Sequence, residues 1–227
     1  ICGQMSFLAR NIIIATGLLS GGDRLGCDGK MLEILKKAGF KTVKTTPAIV
    51  QIKTETDIVK QLKGVKIDAN ATLLAEGKKL RTDFGEVLFT DYGLSGPPIL
   101  QISRGVSVSK SECEVSLDIM PDIDFSTLEE KLKVRVKELS QRNLDEFFTG
   151  MLQKRIGQVL LKTVGCRLSD KTETLDGQKI KRIANLMKNW KFKVLGTTGF
   201  LNSQVTAGGL STDEFFNTTM ECKTAKG

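Results

Sequence analysis

The sequence contains no histidine. Ser-His-Asp and Cys-His nucleophilic catalysis is therefore excluded within this chain, and so are the common metal sites that use imidazole ligands. Chemistry carried by these residues must rest on carboxylates, lysine, cysteine, tyrosine, backbone dipoles or a bound cofactor. Only one Trp and one Tyr are present, which leaves few of these side chains for stacking on nucleic-acid bases.

Long apolar runs are also missing. No stretch reaches the roughly 18 apolar residues of a membrane span, so we predict no transmembrane helix. The N-terminal residues lack the charged-then-apolar plan of a signal peptide, and we expect a cytoplasmic protein without a membrane contact. The first residue is Ile1 rather than an initiator Met, so we also expect the chain to begin inside a longer protein.

Cysteine pairs with metal-ligand spacing are absent as well. The cysteines are odd in number and scattered, without a C-x-x-C pair: Cys2, Cys27, Cys113, Cys166 and Cys222. This spacing indicates neither a zinc site nor a disulfide framework. We expect no metal, and mostly buried, reduced thiols of the kind found in cytoplasmic proteins.

The charge balance is basic, with 34 Lys and Arg against 26 Asp and Glu, a net charge of +8. A basic surface attracts anions such as dinucleotides or nucleic acids. A solvated helix face is the more ordinary explanation, because the basic residues are spread along the chain and form no block. We therefore do not expect a nucleic-acid partner from composition.

The N-terminal region has one α/β signature. Residues 9–15 predict a buried strand, with the β-branched residues 12–14 at its centre. A glycine-rich loop follows over residues 17–29, and residues 30–38 predict an amphipathic helix that Gly39 ends.

Short apolar or alternating runs come next, at residues 43–53, 65–74, 79–90 and 113–117. They predict a small antiparallel sheet or barrel. Ser95 is the expected N-cap of a short helix that starts with Pro97.

Residues 124–190 are helical in character. Ser126 is the expected cap of a helix that runs to about Ser140, and residues 151–161 and 180–187 supply further apolar helix faces. Residues 192–195 then return to a strand.

The glycine-rich loop at residues 17–29 is a candidate phosphate-binding site because it precedes a predicted helix. It fails the Walker pattern, because Arg24 stands where the first Gly is needed and Met31 where Ser or Thr should be. It also contains no G-x-G-x-x-G. A plain turn and a turn that contacts a cofactor through its backbone both remain open.

Two further segments are rich in small residues. Residues 206–209 follow a strand and allow close backbone approach to a flat ligand, although a β-bulge needs the same residues. Residues 85–97 place Thr90, Asp91 and Tyr92 at a potential pocket edge, but a strand, a turn and a helix start is the favoured interpretation there.

The order of these motifs carries a family resemblance. The segments are residues 15–17, 26–29, 85–97, 196–200, 204–209 and 219–221. Together they resemble the bacterial flavoproteins related to aminoacetone oxidase, a family that includes a bile-acid dehydroxylation flavoprotein and many predicted NAD(P)/FAD-dependent oxidoreductases. The resemblance covers nearly the whole chain.

The resemblance implies an α+β fold, in which a small antiparallel β-barrel-like subdomain and a small helical subdomain are flanked by a remnant of a Rossmann-type FAD-binding domain. Residues 1–40 would be the remnant, residues 41–121 and 191–216 the barrel, residues 122–190 the helical part, and residues 217–227 the return towards the FAD domain.

The resemblance also implies a cofactor surface but identifies no catalytic residue. The implied cofactor-binding residues are Ala15, Thr16, Gly17, Gly26, Asp28, Gly29, Thr206, Ala207, Gly208 and Gly209. The phosphate-binding G-x-G-x-x-G lies upstream in such proteins. We therefore expect FAD in the parent protein and not in this fragment alone, and either NAD(P)H or oxygen as the electron partner.

The sequence departs from the family pattern at three positions within the motifs that carry the resemblance or next to them. Leu18 and Cys27 stand where glycines are usual, and Asp91 stands where His is frequent. A side chain in place of a glycine takes up space where the backbone should approach the cofactor.

Two functions follow from these observations. The first is the central part of an FAD-dependent oxidoreductase that acts on a small molecule, with a substrate left undetermined and no catalytic competence of its own. The alternative is a stand-alone basic module that binds an anionic partner through its helical region. The helical part is also a candidate for pairing subunits of the parent.

Overall fold

In the computed structural model, which describes residues 8–225, the chain forms two compact units. The first unit combines the residues up to Ala48 with those from Gly199 onward, and the second runs from Ile49 to Thr198. The predicted assignment of residues 1–40 and 217–227 to an FAD-binding domain stays a prediction.

The second unit contains a closed antiparallel barrel. Its strands are β2 (Ile52–Thr54), β3 (Lys66–Ala75), β4 (Lys78–Phe89), β5 (Gly93–Ser95), β6 (Cys113–Asp118) and β7 (Trp190–Thr197). They close in the order β2-β5-β4-β3-β6-β7, and β7 pairs with β2 to complete the ring. The predicted antiparallel barrel is confirmed, and closure leaves it without a free edge.

The barrel interior is filled by small residues on one side and aromatic rings on the other. Ala69, Ala71 and Leu73 alternate inward along β3 and are fully buried. The ring centroid of Trp190 lies 6.0 Å from that of Phe89 and 5.5 Å from that of Phe192. These side chains form part of the hydrophobic core of the second unit.

Residues 85–97 have a structural explanation in this barrel. A Cβ at Gly93 would overlap the carbonyl oxygen of Ile52, and one at Gly96 would overlap that of Glu86. Thr90 closes the turn before β5, since its hydroxyl accepts from Gly93 N at 3.1 Å and lies 2.9 Å from the carbonyl oxygen of the same residue. The favoured structural interpretation of this segment therefore matches its packing.

Five α-helices of the described residues lie in the same unit: α2 (Thr56–Gln61), α3 (Pro97–Val108), α4 (Phe125–Glu138), α5 (Lys154–Thr163) and α6 (Gly177–Lys188). The last three, α4 to α6, make up the helical part. Apolar residues at helical spacing form its core, among them Leu128, Leu132, Leu160 and Ile183. The predicted helical subdomain is confirmed.

Two helix starts differ from the prediction. Asp124, not Ser126, caps α4, and its Oδ1 accepts a hydrogen bond of 2.9 Å from Thr127 N. Ser126 instead donates to that carboxylate, and this bond, with those from Thr127, holds the pKa of Asp124 well below its usual range. Gly96, not Ser95, precedes α3 because its φ of 98° suits glycine.

Lys188 joins the end of α6 to the loop after β6. Its Nζ lies 2.7 Å from Asp118 Oδ2 and donates to the carbonyl oxygens of Met120 and Ile123 at 2.8 and 2.6 Å. The lysine side chain is only 13% exposed. These contacts hold the helical subdomain against the barrel.

The first unit contains α1 (Lys30–Lys37) and a ribbon of β1 (Thr42–Ala48) with β8 (Val205–Leu210). The predicted helix at residues 30–38 is confirmed, with Gly39 following it at a φ of 98°. β1 and β8 pair with each other in a two-stranded sheet, separate from the six strands of the barrel. The predicted bounds of the barrel subdomain, residues 41–121 and 191–216, stay a prediction.

The predicted buried strand at residues 9–15 is wrong for this structure. This segment forms no strand, and Ile12, Ile13 and Ile14 are 72%, 93% and 48% exposed. A strand needs a neighbour that completes its ladder of hydrogen bonds, and none of the described residues pairs with this run.

Candidate functional site

All of the predicted cofactor-binding residues lie in the first unit. Residues 15–17 end the extended N-terminal run, residues 26–29 lead into α1, and residues 206–209 belong to β8. Six of them are exposed (Ala15, Thr16, Gly17, Gly26, Asp28 and Gly208), Gly29, Thr206 and Ala207 are half-buried, and Gly209 is buried. Their binding of a cofactor stays a prediction.

Thr206 connects β8 to the turn that follows Gly17. Its Oγ1 accepts hydrogen bonds from the backbone N–H groups of Leu19 at 3.2 Å and Ser20 at 3.1 Å. It also lies 2.7 Å from Ser20 Oγ, and Ser203 Oγ lies 3.1 Å from that same atom. We call Ser20, Ser203 and Thr206 the hydroxyl cluster.

The hydrogen-bond capacity of Thr206 is fully used within the chain. A threonine hydroxyl has two lone pairs and one proton. The two N–H groups take the lone pairs, so the proton points to Ser20 Oγ. Thr206 therefore positions the turn, and its side chain has no capacity left for a ligand.

Two side chains cover glycines of the predicted cofactor surface. A Cβ at Gly17 would lie 3.1 Å from Cys27 Sγ, and one at Gly209 would lie 3.0 Å from Leu18 Cδ1. Cys27 and Leu18 are also the positions at which the sequence departs from the family pattern. The space beside Gly17 and Gly209 is therefore occupied by side chains of this protein.

The remaining glycines differ in what they face. A Cβ at Gly208 would overlap the carbonyl oxygen of Lys44, and one at Gly29 would lie 2.9 Å from Leu19 Cδ2. Gly26 has no atom within 4 Å of a built Cβ, so its surroundings are open. Gly208 is thus required by the β1–β8 pairing, whereas Gly26 has open space where a Cβ would lie, with its N–H donating to the carbonyl oxygen of Asp23 at 3.2 Å.

Asp28 occupies the start of α1. Its Oδ1 accepts from Lys30 N at 3.0 Å, and its Oδ2 lies 2.7 Å from Lys30 Nζ. These hydrogen bonds from Lys30 lower the pKa of Asp28. A carboxylate of the chain therefore stands where a phosphate would meet the helix N-terminus, and this favours the plain-turn interpretation of the glycine loop.

As a potential FAD site, the first unit has exposed residues at positions 15–17 and 26, but its described residues offer no set of free N–H groups around a phosphate. The first unit therefore fits one wall of a dinucleotide site and does not fit a complete one.

The described residues contain no group of three or more Cys, Asp or Glu side chains that could hold a metal ion. Cys113 and Cys166 are buried and Cys27 and Cys222 half-buried, all as free thiols, while Cys2 lies outside the described residues. Residues 8–225 contain no helix with the length and apolar character of a membrane span.

A cavity of about 220 Å³ lies in the helical subdomain. Leu144, Phe148, Leu152 and Leu161 form its apolar wall, and Asp145 and Lys154 are its charged residues. It lacks a converging set of groups for acid–base or nucleophilic catalysis.

Sequence reasoning did not identify Ser20 and Ser203 as partners of Thr206. Residues 20 and 206 are 186 positions apart, so no local spacing relates them. The sequence did offer one indication: Thr206 is a polar residue next to glycines in a strand, and such a residue is expected to form hydrogen bonds.

Comparisons with known proteins identify what this chain resembles. The family model described as "HI0933-like protein barrel and H2TH domain" matches residues 46–205. The 3-dehydro-bile acid delta(4,6)-reductase of Clostridium scindens is 29% identical over 97% of this chain and 54% of its own length. The ribosomal RNA dihydrouridine synthases of Haemophilus influenzae and Escherichia coli are each 26% identical, over 96% and 98% of this chain and 52% and 54% of their own lengths. The chain thus spans about half the length of these relatives.

Proposed function

The chain belongs to the HI0933-like family with a barrel and an H2TH domain, and from this premise we propose that it is the central, substrate-side part of an FAD-dependent oxidoreductase. The observation that carries the proposal is the assembly of residues 15–20, 26–29 and 206–209 in one unit, held by the hydroxyl cluster. The first two segments are distant in sequence from the third, and the resemblance implies a cofactor wall at these residues.

The names of the relatives share one class of chemistry. A delta(4,6)-reductase saturates carbon–carbon double bonds, and a dihydrouridine synthase makes uridine whose ring double bond is saturated. We therefore assign reduction of a carbon–carbon double bond to the parent protein. Its substrate is either a small molecule or a nucleoside within RNA, and NAD(P)H is the proposed source of electrons.

When bound and reduced by NAD(P)H, the flavin would supply the hydride for such a reduction. The residues of this chain position the cofactor. Thr206 fixes the turn after Gly17, and the exposed residues 15–17 form one wall of the proposed FAD site. Asp28 does not serve as a proton donor near neutrality, because its ion pair with Lys30 keeps the carboxylate ionised.

The test uses the longer protein that contains this chain, loaded with FAD and supplied with NAD(P)H. One sample receives a steroid with a double bond conjugated to a ketone, and another receives ribosomal RNA that lacks dihydrouridine. We expect saturation of one substrate, detected as loss of the conjugated absorbance or as a mass gain of one hydrogen molecule per uridine. Oxidation of NAD(P)H by oxygen, with both substrates unchanged, would contradict the proposal.

A further inference from the structure

The two units are joined by the chain at two places. The chain leaves the first unit between Ala48 and Ile49, and it returns to it between Thr198 and Gly199. Ile49 is the residue that follows β1, and Gly199 is the second residue after β7. Hinge motions are often absorbed at such positions, because a residue at the end of an element can change its backbone angles while the element stays intact.

Ile49 has a backbone conformation that isoleucine rarely adopts. Its φ is 51°, in the left-handed region, where a branched side chain crowds the backbone. Glu76 also has a positive φ, but it lies with Gly77 in the tight hairpin between β3 and β4, a turn that requires such angles. Ile49 lies between β1 and β2, which do not pair with each other, so no hairpin explains its conformation.

Both neighbours of Ile49 are anchored within their own unit. Ala48 is buried and pairs with Val205 in the β1–β8 ribbon. Val50 is fully buried, and its N–H donates to the hydroxyl of the equally buried Ser103 at 3.2 Å. One anchor in each unit therefore maintains the strain at Ile49, and this strain can relax when the orientation of the units changes.

The second crossing has an equally restricted backbone. Gly199 has a φ of 82° and a ψ of −177°, a region that is populated almost only by glycine. A Cβ at Gly199 would have no atom within 4 Å, so packing does not require glycine there. Before it, Thr198 is held to Gln51: its N–H donates to the carbonyl oxygen at 3.1 Å and its hydroxyl to the side-chain oxygen at 2.7 Å. The backbone conformation of the crossing is therefore what calls for glycine.

We propose that Ile49 and Gly199 form a hinge between the two units. In the present conformation Ile49 is strained and Gly199 uses angles that only glycine adopts readily. In the second conformation Ile49 takes the extended angles that β-branched residues prefer. The first unit contains all the residues proposed as the wall of the FAD site, so motion about this hinge moves that wall relative to the barrel. The inference goes beyond the proposed function, because it applies to any ligand of the first unit.

The experiment measures the distribution of distances between the units in the 227-residue chain. One spin label is attached at Lys37 on α1 and the other at Lys78 on β4, and both positions are exposed. The labels are attached to unnatural amino acids, so the native cysteines stay unchanged. Double electron–electron resonance then reports each orientation of the units as a separate distance.

Two substitutions should shift the populations in opposite directions. Ile49→Gly removes the penalty of the left-handed conformation, so it should favour the present conformation by about 5- to 30-fold. Gly199→Ala adds a penalty to the same conformation, so it should disfavour it by at least about fivefold. The matched control is Gly64→Ala, because Gly64 also has a φ of 82° and open space around a Cβ but lies inside the second unit. The control should leave the populations unchanged.

A chain that shows only one distance before substitution is tested in the same way. Gly199→Ala should then produce the second distance, and adding Ile49→Gly should suppress it again. Ile49→Pro, which fixes φ near −65°, should show the second distance alone.

The proposal would be overturned by one distance that is the same in every folded variant. It would also be overturned by shifts in the same direction in Ile49→Gly and Gly199→Ala, or by an equal shift in Gly64→Ala. Circular dichroism checks that each variant is folded. If Gly199→Ala and Ile49→Pro both unfold, the chain has no second folded conformation, and the proposal is wrong.

Discussion

Thr206→Val removes one hydroxyl and keeps the β-branched shape of the side chain in β8. The backbone N–H groups of Leu19 and Ser20 then lose their acceptor, and Ser20 Oγ loses a partner 2.7 Å away. A buried donor without an acceptor costs about 1–3 kcal/mol. Because Leu19 and Ser20 are half-buried, water satisfies part of this loss, and we expect about 2 kcal/mol in total for the stability of the turn.

Native-state hydrogen exchange measures this change at the residues concerned. A loss of about 2 kcal/mol speeds exchange of the Leu19 and Ser20 amides roughly 30-fold, since each 1.4 kcal/mol is a factor of ten. Thr206→Ser should retain the protection because it keeps the hydroxyl. Thr72→Val is the matched control: it removes a hydroxyl bonded to Thr82 at 2.7 Å in the barrel and should leave these amides unchanged. Unchanged exchange in Thr206→Val would refute the positioning role of this residue.

Two further predictions concern the second unit. Lys188→Met should lower stability by about 2 kcal/mol, because it leaves Asp118 and two carbonyl oxygens without their partner, and should lower the melting temperature by roughly 4–8 °C. Lys191→Met, which breaks the exposed pair with Glu114, should change stability by less than about 1 kcal/mol, and equal effects would contradict the structural role of Lys188. In Asp124→Asn the cap remains but its charge is lost. The folded-state pKa of Asp124 lies below its ordinary value of 3.8. Near neutrality the unsubstituted protein should therefore resist unfolding by urea better than this variant, and it should lose that advantage as the pH falls through the folded-state pKa. A difference that persists in strong acid would contradict this assignment.

Much of the second unit could be predicted from local pattern. Ala69, Ala71 and Leu73 alternate along β3, and Leu128 and Leu132 repeat at helical spacing along α4. Such periodicity shows which face of a strand or helix is buried, so it can be recognised in the sequence without knowing which elements pack against that face. The helix caps were less predictable, because Asp124 and Ser126 both suit an N-cap and the choice depends on where the chain turns.

The first unit was predicted less well for a physical reason. Residues 12–14 have the composition of a buried strand, but a strand forms only with a neighbour, and the described residues contain none for it. The contact of Thr206 with Leu19 and Ser20 joins segments from opposite ends of the chain. The cofactor-binding residues that the resemblance implies lie together in one unit. The hydroxyl cluster that holds residues 19 and 20 to β8 could be identified only from the structure.

We propose that this chain provides one wall of an FAD site, without a complete set of N–H groups for the pyrophosphate among its described residues. The most direct test is a titration of the purified chain with FAD, followed by removal of free cofactor and an absorbance spectrum in the flavin band. The account predicts that no stoichiometric FAD remains with this chain, whereas the longer protein retains it. A yellow fragment that keeps one FAD per chain would contradict the claim.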